Sequence, residues 1–541
     1  MNRPLAFVLA LLLLAGGVAP VATASPTTTS AADSLSTPAT PAQTVDTAQT
    51  TDTAYQTTNT APQTTDTETE NETETGSEDP LGCVDGVCHD DELDFEEPTD
   101  LSDDELDALV DRSMARVEYL RGERFDDDVP VEIQSREEFR ESDTMRASTG
   151  DESFDRWNDQ VWEALFIVGE DQRSADAIDG TLGEAVNGFY TASDDRIVII
   201  TSSPDSPSVN ELTLIHEFTH ALQDQRHDLT SEQFRADSQD ADLAANGAIE
   251  GEAVYIEERY EQRCESGEWE CFDEPTSASS GGGDSPTNRG LLYLLLQPYS
   301  DGPAYVDEIR DEEGWAGVDD LMTEPPETTS EVIHRRAVEA RDLDVENEST
   351  DGWQRYPEEG RDGAEVTGEA SIYVMFWYQA REYDADTIDP DSFSDTDGEY
   401  DRYNYVSDPS EGWVGDELHP YQRGDDDGYV WSTEWETRED AAEFRRAYGA
   451  ILDAHDANET DAGVYEVSNG SFSGAYAVDT DGTRVTIVHA PTEDGLFELR
   501  PSLDPDPVDD PLPFGDSAPG FGLAAALAAL LAAAIAGRRL H

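Results

Sequence analysis

The chain is expected to fold as an α+β protein, mainly helical with a small sheet, and with a smaller α/β part toward its C-terminus. Three observations predict this. Apolar residues recur at helical steps through 212–225 and 242–262, and isoleucine and valine concentrate in short runs at 129–133 and 196–200. Two alternating segments, 474–479 and 484–489, flank the turn Thr480-Asp-Gly-Thr483 and read as a hairpin.

Taken in order, Ser102-Asp-Asp-Glu105 is a capping box, with a helix expected to about Arg121. Strands are expected at Val129–Ile133 and Ile197–Ile200. A helix over Leu212–Gln225 carries Leu212, Ile215 and Leu222 at three- and seven-residue steps, and a helix over Asp242–Gln262 carries Leu243, Ile249, Val254 and Ile256. Gly290–Gln297 and Gly368–Tyr378 suit buried helices and are too short to span a bilayer. Thr437–Ala454 is a further helix, followed by the hairpin. Because some 400 residues exceed the usual size of one domain, 101–400 is expected as one domain and 401–500 as an α/β appendage.

The flanks have other compositions. Arg3, the apolar run Leu5–Leu14 and Ala22-Thr-Ala24 make residues 1–24 a secretory signal peptide. Residues 25–100 are rich in Thr, Ala, Pro and acids and predict a disordered stalk; 501–518 is a Pro/Asp spacer. The tail 519–541 is an Ala/Leu run ending in Arg538-Arg539, so the body is expected on the outer face of the cell membrane. Asn71, Asn347, Asn458 and Asn469 open N-glycosylation sequons. Cys83, Cys88, Cys264 and Cys271 permit three pairings, and the local one, 83 with 88 and 264 with 271, is expected in an exported chain. Their irregular spacing, even with His89, argues against a metal site.

Acidic residues number 123 against 32 basic ones, all arginine, for a net charge of −91. Such a chain repels itself in dilute buffer, whereas at molar salt the Debye length shrinks to about 3 Å. The acid runs are solvated faces, and no basic stripe exists to meet phosphate, which excludes nucleic acid as a partner.

Chemistry concentrates at His216-Glu217-Phe218-Thr219-His220. Histidines at i and i+4 share one helix face and can converge on a single ion, and Glu217 beside them can act as general base toward a water. A third histidine six residues on would complete one known pattern, but that position is Arg226, and His227 is one residue out of step. The third ligand is therefore expected from the following helix, at Glu250 beside Gly251, with Glu252 and Glu257 as rivals. Asp224 could hold a ligand imidazole from behind. His334, His419 and Tyr421 are candidate oxyanion donors on chemistry alone.

The string Leu214-Ile-His-Glu-Phe-Thr-His-Ala-Leu-Gln-Asp-Gln225 stands after Asn187-Gly-Phe-Tyr190, and Glu250-Gly-Glu-Ala253 follows. With Pro325-Pro326, Gly368-Glu369, Gly412-Trp-Val-Gly-Asp416 and Tyr429-Val-Trp431, it resembles zinc metallopeptidases of the gluzincin type over roughly 101–460. The resemblance implies a zincin-like domain, Ile197–Ile200 as the edge strand along which an extended substrate lies, one Zn2+ on His216, His220 and Glu250, Glu217 as catalytic base, and a peptide or protein substrate. Arg335 departs from the His-Pro that often follows in such proteins, which weakens a catalytic role for His334. The lysine-free, acidic composition resembles that of haloarchaeal proteins. Pro519-Gly520-Phe521 with its tail resembles the PGF-type sorting signal that an archaeosortase removes. The alternative expectation is a non-catalytic envelope protein that keeps this fold as a binding or structural module; a lipoprotein is disfavoured by Ser25 where a lipobox cysteine would stand.

Overall fold

The computed structural model describes residues 79–505 except 96, 143–150, 202, 205–206, 273–286, 339, 397, 399 and 462. The expected signal peptide, the stalk before Asp79, and the C-terminal spacer and tail beyond 505 lie outside the described residues. By contact, the described residues from Pro80 onward fall in the larger of two units. The larger unit is a mixed α+β fold in which helix outweighs strand, 45% to 18%.

The fold begins before residue 101. β1 (Cys83–Val84) and β2 (Val87–Cys88) form a short hairpin closed by the Cys83–Cys88 disulfide and packed on α1 (Asp103–Arg121). Arg116 donates to the His89 carbonyl at 3.0 Å, Gly82 N–H donates to Glu118 at 3.0 Å, and Phe95 stacks on Phe272. A disulfide and buried arginine contacts thus order a segment whose composition predicted stalk. The capping box at Ser102 and Glu105 opens α1 as expected, and Gly122, at φ 81°, closes it.

β3 (Val131–Ser135), α2 (Arg136–Glu141), α3 (Glu152–Ala164), α4 (Ser174–Ala185), β4 (Gly188–Thr191) and β5 (Arg196–Thr201) follow. The small sheet runs β3-β5-β4, with β3 parallel and β4 antiparallel to β5. β5 is therefore central rather than an edge. Its four consecutive buried residues, Ile197 to Ile200, are the mark of a strand covered on both faces. The edges fall to β3 and β4.

α5 (Glu211–His227) and α6 (Gln239–Ser266) carry the motif residues, followed by α7 (Arg289–Leu295), α8 (Gln297–Glu313), α9 (Trp315–Thr323) and α10 (Thr329–His334). The apolar run at 290–297 does not stay one helix, because Pro298 supplies no N–H to continue it and sits instead in the first turn of α8.

The rest comprises β6 (Gln354–Arg355), α11 (Gly368–Tyr383), β7 (Trp413–Arg423), β8 (Asp426–Trp435), α12 (Arg438–Ala454), β9 (Asn458–Asp461), β10 (Val464–Val467), β11 (Gly474–Asp481), β12 (Arg484–Ala490) and α13 (Glu493–Leu499). They build an antiparallel seven-stranded sheet in the order β6-β7-β8-β12-β11-β10-β9. The expected hairpin is β11–β12; the longer β7–β8 hairpin was not foreseen. One apolar core joins Trp157 and Val161 of α3 to Phe376 of α11, Trp431 of β8, Phe444 of α12 and Ile487 of β12, so the chain on both sides of residue 400 shares it. A second core gathers α1, α5, α6 and α9 around Leu109, Phe218, Ile249 and Met322. Among the described residues no helix is long and apolar enough to cross a membrane.

Candidate metal centre

Buried charge sets the rotation of α5. Glu211, in its first turn, accepts from Arg112 at 3.0 and 2.9 Å, from Arg116 at 2.7 Å and from the Tyr260 hydroxyl at 3.0 Å. This ties α5 to α1 and α6. With Leu214, Ile215, Phe218 and Leu222 buried, His216 and His220 come to one side, their rings 4.6 Å apart. On α6, Gly247 and Gly251 leave room for Val332 of α10 and Gly302 of α8; a Cβ on Gly251 would stand 2.5 Å from the Gly302 carbonyl. Glu250 lies on this closely packed stretch.

His216, His220 and Glu250 place one donor atom each within 4.8 Å of the others, all three buried. Glu250 Oε2 is 3.2 Å from His216 Nε2 and 3.3 Å from His220 Nε2. Donors about 2.0–2.1 Å from a tetrahedral divalent ion stand about 3.3 Å apart, so the spacing fits. The other ring nitrogens point the same way: His216 Nδ1 meets Glu257 at 2.8 Å and His220 Nδ1 meets the Gln223 carbonyl oxygen at 2.8 Å. His216 Nδ1 faces Glu257 outside hydrogen-bond geometry, and a proton on each Nδ1 would leave two Nε2 lone pairs toward a carboxylate oxygen, an arrangement that calls for a cation between them. Burial disfavours charge on His216, but Glu257 and Glu250 outweigh it and push its pKa up to about 10. Burial likewise opposes the Glu250 carboxylate, yet His220 and His216 pull it down to about 2. A proton or a metal ion belongs there.

Glu217 is fully buried and neither of its oxygens has a hydrogen-bond partner. Burial pushes its pKa up to about 8; His216 and the nearby Tyr190 backbone N–H act the other way, the latter without reaching hydrogen-bond geometry. The Ile200 N–H donates to the Asn187 carbonyl at 2.8 Å, so alternation along the antiparallel pair turns the N–H and C=O of Gly188 and Tyr190 toward the free edge of β4. The edge strand thus reaches the general-base candidate.

The three acids of α6 are sorted by the packing. Glu250 alone meets both Nε2 atoms; Glu257 backs His216, and Glu252 backs His220 through Gln223 at 2.9 Å. Asp224 does not hold an imidazole: it accepts from the Tyr190 hydroxyl and the Leu229 N–H, both at 2.7 Å. His227 approaches Asp319 at 3.8 Å, away from the ligand atoms. The three oxyanion candidates are engaged elsewhere, His334 with Glu369 at 2.8 Å, His419 with Glu417 at 3.0 Å, and Tyr421 with Arg355 at 2.8 Å. Instead Tyr299 of α8 lies parallel to His216, ring centroids 6.0 Å apart. The sequence offered no signal for Tyr299, whose approach depends on the glycine contact between α6 and α8. Both disulfides have the expected local pairing.

A family model described as a domain of unknown function (DUF8575) matches residues 354–500. No curated protein and no solved structure matches the chain. The matched segment runs from β6 to α13 and so takes in the seven-stranded sheet, while α5 and α6 lie outside it.

Proposed function

We propose that this chain is a cell-surface zinc metallopeptidase with a zincin-like catalytic region, in which His216, His220 and Glu250 hold the ion. The observation that carries the reading is the 3.2 and 3.3 Å approach of Glu250 Oε2 to the two Nε2 atoms, with Glu217 unpartnered beside them. A bound zinc supplies a Lewis acid for a peptide carbonyl and lowers the pKa of a water to about 7. Glu217, buried beside the ligand set with no hydrogen-bond partner on either oxygen, would serve as general base toward a water and as general acid toward the leaving amine. The outward backbone groups of Gly188 and Tyr190 offer an extended substrate a strand to pair with.

A second reading rests on burial. His216, Glu217 and His220 expose nothing and Glu250 only 3%, which suits a structural ion in a non-catalytic envelope module as well as a closed enzyme. One experiment separates them. Zinc is measured in the secreted chain, Glu250→Ala and Glu217→Gln, all purified in molar salt, alongside cleavage of a denatured protein substrate. One zinc per wild-type chain, lost in Glu250→Ala and kept in an inactive Glu217→Gln, supports the peptidase. Zinc without cleavage in wild type supports the structural ion, and no zinc removes both.

A further inference from the structure

A line of side chains leads from the back of His220 to the protein surface. His220 Nδ1–H donates to Gln223 Oε1 at 2.8 Å. The amide of Gln223 has its orientation decided by what lies beyond, because its Nε2 donates to the Ile249 carbonyl at 3.0 Å and to Glu252 Oε2 at 2.9 Å. Glu252 in turn accepts from Arg121 Nε on its other oxygen. Arg121, the last residue of α1, also bonds Asp319 and lies over the Trp315 ring at 4.3 Å, both on α9. Exposure along the line rises from nothing at His220 to 38% at the Asp319 side chain.

We propose that Arg121 and Glu252 are positioning residues for the metal centre, acting through Gln223 on the tautomer of His220. This role rests on the metal-centre reading of His216, His220 and Glu250. A buried glutamine amide rotated by 180° would present N–H groups to His220 Nδ1, which would then have to accept, moving the ring proton onto Nε2 where the ion must bind. The Glu252 carboxylate, together with the Ile249 carbonyl, opposes the rotation, because both groups accept and neither donates. Arg121 holds one Glu252 oxygen, which keeps the other pointed at the Gln223 amide. The other ligand is arranged differently, with Glu257 directly against His216 and its own partner Arg402 3.7 Å away. His216 therefore has no amide that can flip, and the asymmetry places the control on His220.

The test titrates Co2+ alone into the full chain in molar salt and reads both affinity and the visible Co2+ absorption bands. Variants are Arg121→Ala, Arg121→Lys, Glu252→Gln and Gln223→Leu; Arg226→Ala, which removes a surface charge paired with Glu123 and Asp126, is the control. Expected are Kd values about 10- to 100-fold weaker for Glu252→Gln and Gln223→Leu with altered bands, a loss in Arg121→Ala partly restored in Arg121→Lys, and no change in Arg226→Ala. Glu252→Gln stays close in shape to the wild-type side chain, so it reports even where Arg121→Ala fails to fold. Wild-type affinity and bands in Glu252→Gln and Gln223→Leu would overturn the proposal while leaving the metal centre standing. Absence of Co2+ binding by the wild-type chain would overturn the metal centre and this role together.

Discussion

Gly251 of α6 lies backbone to backbone with Gly302 of α8, so close that a Cβ on the first would fall 2.5 Å from the carbonyl carbon of the second. The contact brings Tyr299 parallel to the ring of His216 and holds the Glu250 turn of α6 in place. Gly251→Ala must push the two helices apart, because the obstruction is backbone and cannot rotate away. The expected cost is at least the 1–3 kcal/mol typical of overpacked sites, with weaker zinc binding than wild type. Denaturant unfolding in molar salt and zinc content check both.

The attachment of α5 rests on Glu211, whose carboxylate is shared by Arg112 and Arg116, all three buried. Glu211→Ala leaves two guanidinium groups without a counter-charge. The expected loss is about 3–5 kcal/mol, read as a lower denaturation midpoint. Replacing an exposed acid such as Glu232 serves as the comparison and should change stability little.

Stability should fall as the pH rises above neutrality. Burial pushes Glu163, Asp301 and Glu365 up to about 8 and Asp240 up to about 7. A carboxyl whose folded pKa is raised contributes stability that is complete below its unfolded pKa and is lost as the pH climbs through the folded one. For Glu163 the loss between pH 6 and 9 is about 2–3 kcal/mol. Glu163→Gln should show a shallower decline over that range than wild type in thermal unfolding; equal slopes would contradict the assignment.

The acid side has the opposite sign. His489, buried beside the rings of Tyr429 and Tyr476, is pushed down to about 4 by desolvation. A depressed folded pKa gives stability present above the unfolded value near 6.5 and lost as the pH falls toward 4. His489→Gln, which cannot charge, should therefore lose less stability than wild type between pH 6.5 and 4 when each is compared with itself at pH 7.

The Cys264–Cys271 disulfide holds Trp269 over Arg116 at 4.9 Å, just beyond the end of α6. The double Cys→Ser variant should lose about 2–3 kcal/mol, the loop-closure value for so short a ring. Trp269, buried in the disulfide form, should become more solvent-exposed, seen as a red shift in fluorescence.

What could be read from the sequence was what local periodicity and spacing encode. The i, i+4 histidines, the helices 212–225 and 242–262, the capping box at Ser102 and the β11–β12 hairpin are each specified by neighbours along the chain, and each is present. The β7–β8 hairpin escaped because Pro420 and the charged residues Asp416, Glu417, Arg423, Asp426, Asp427 and Glu434 interrupt its apolar pattern, and its pairing across the sheet outweighs that local discouragement. The ordered segment from residue 80 escaped because composition cannot reveal that Arg112 and Arg116 would receive it.

The sequence alone placed two histidines on one helix face with a glutamate beside the first, and pointed to the following helix for a third candidate ligand. Which acid of α6 lies against both Nε2 atoms, Glu250 rather than Glu252 or Glu257, was decided by tertiary structure, as were the contact of Gln223 with His220 and the placing of β4, not β5, at a sheet edge. The physical reason is the same in each case. Spacing along a helix gives the direction of a side chain to within part of a turn, whereas ligation depends on where two helices touch, and here that is set by Gly247 and Gly251 against α10 and α8 and by Glu211 against α1.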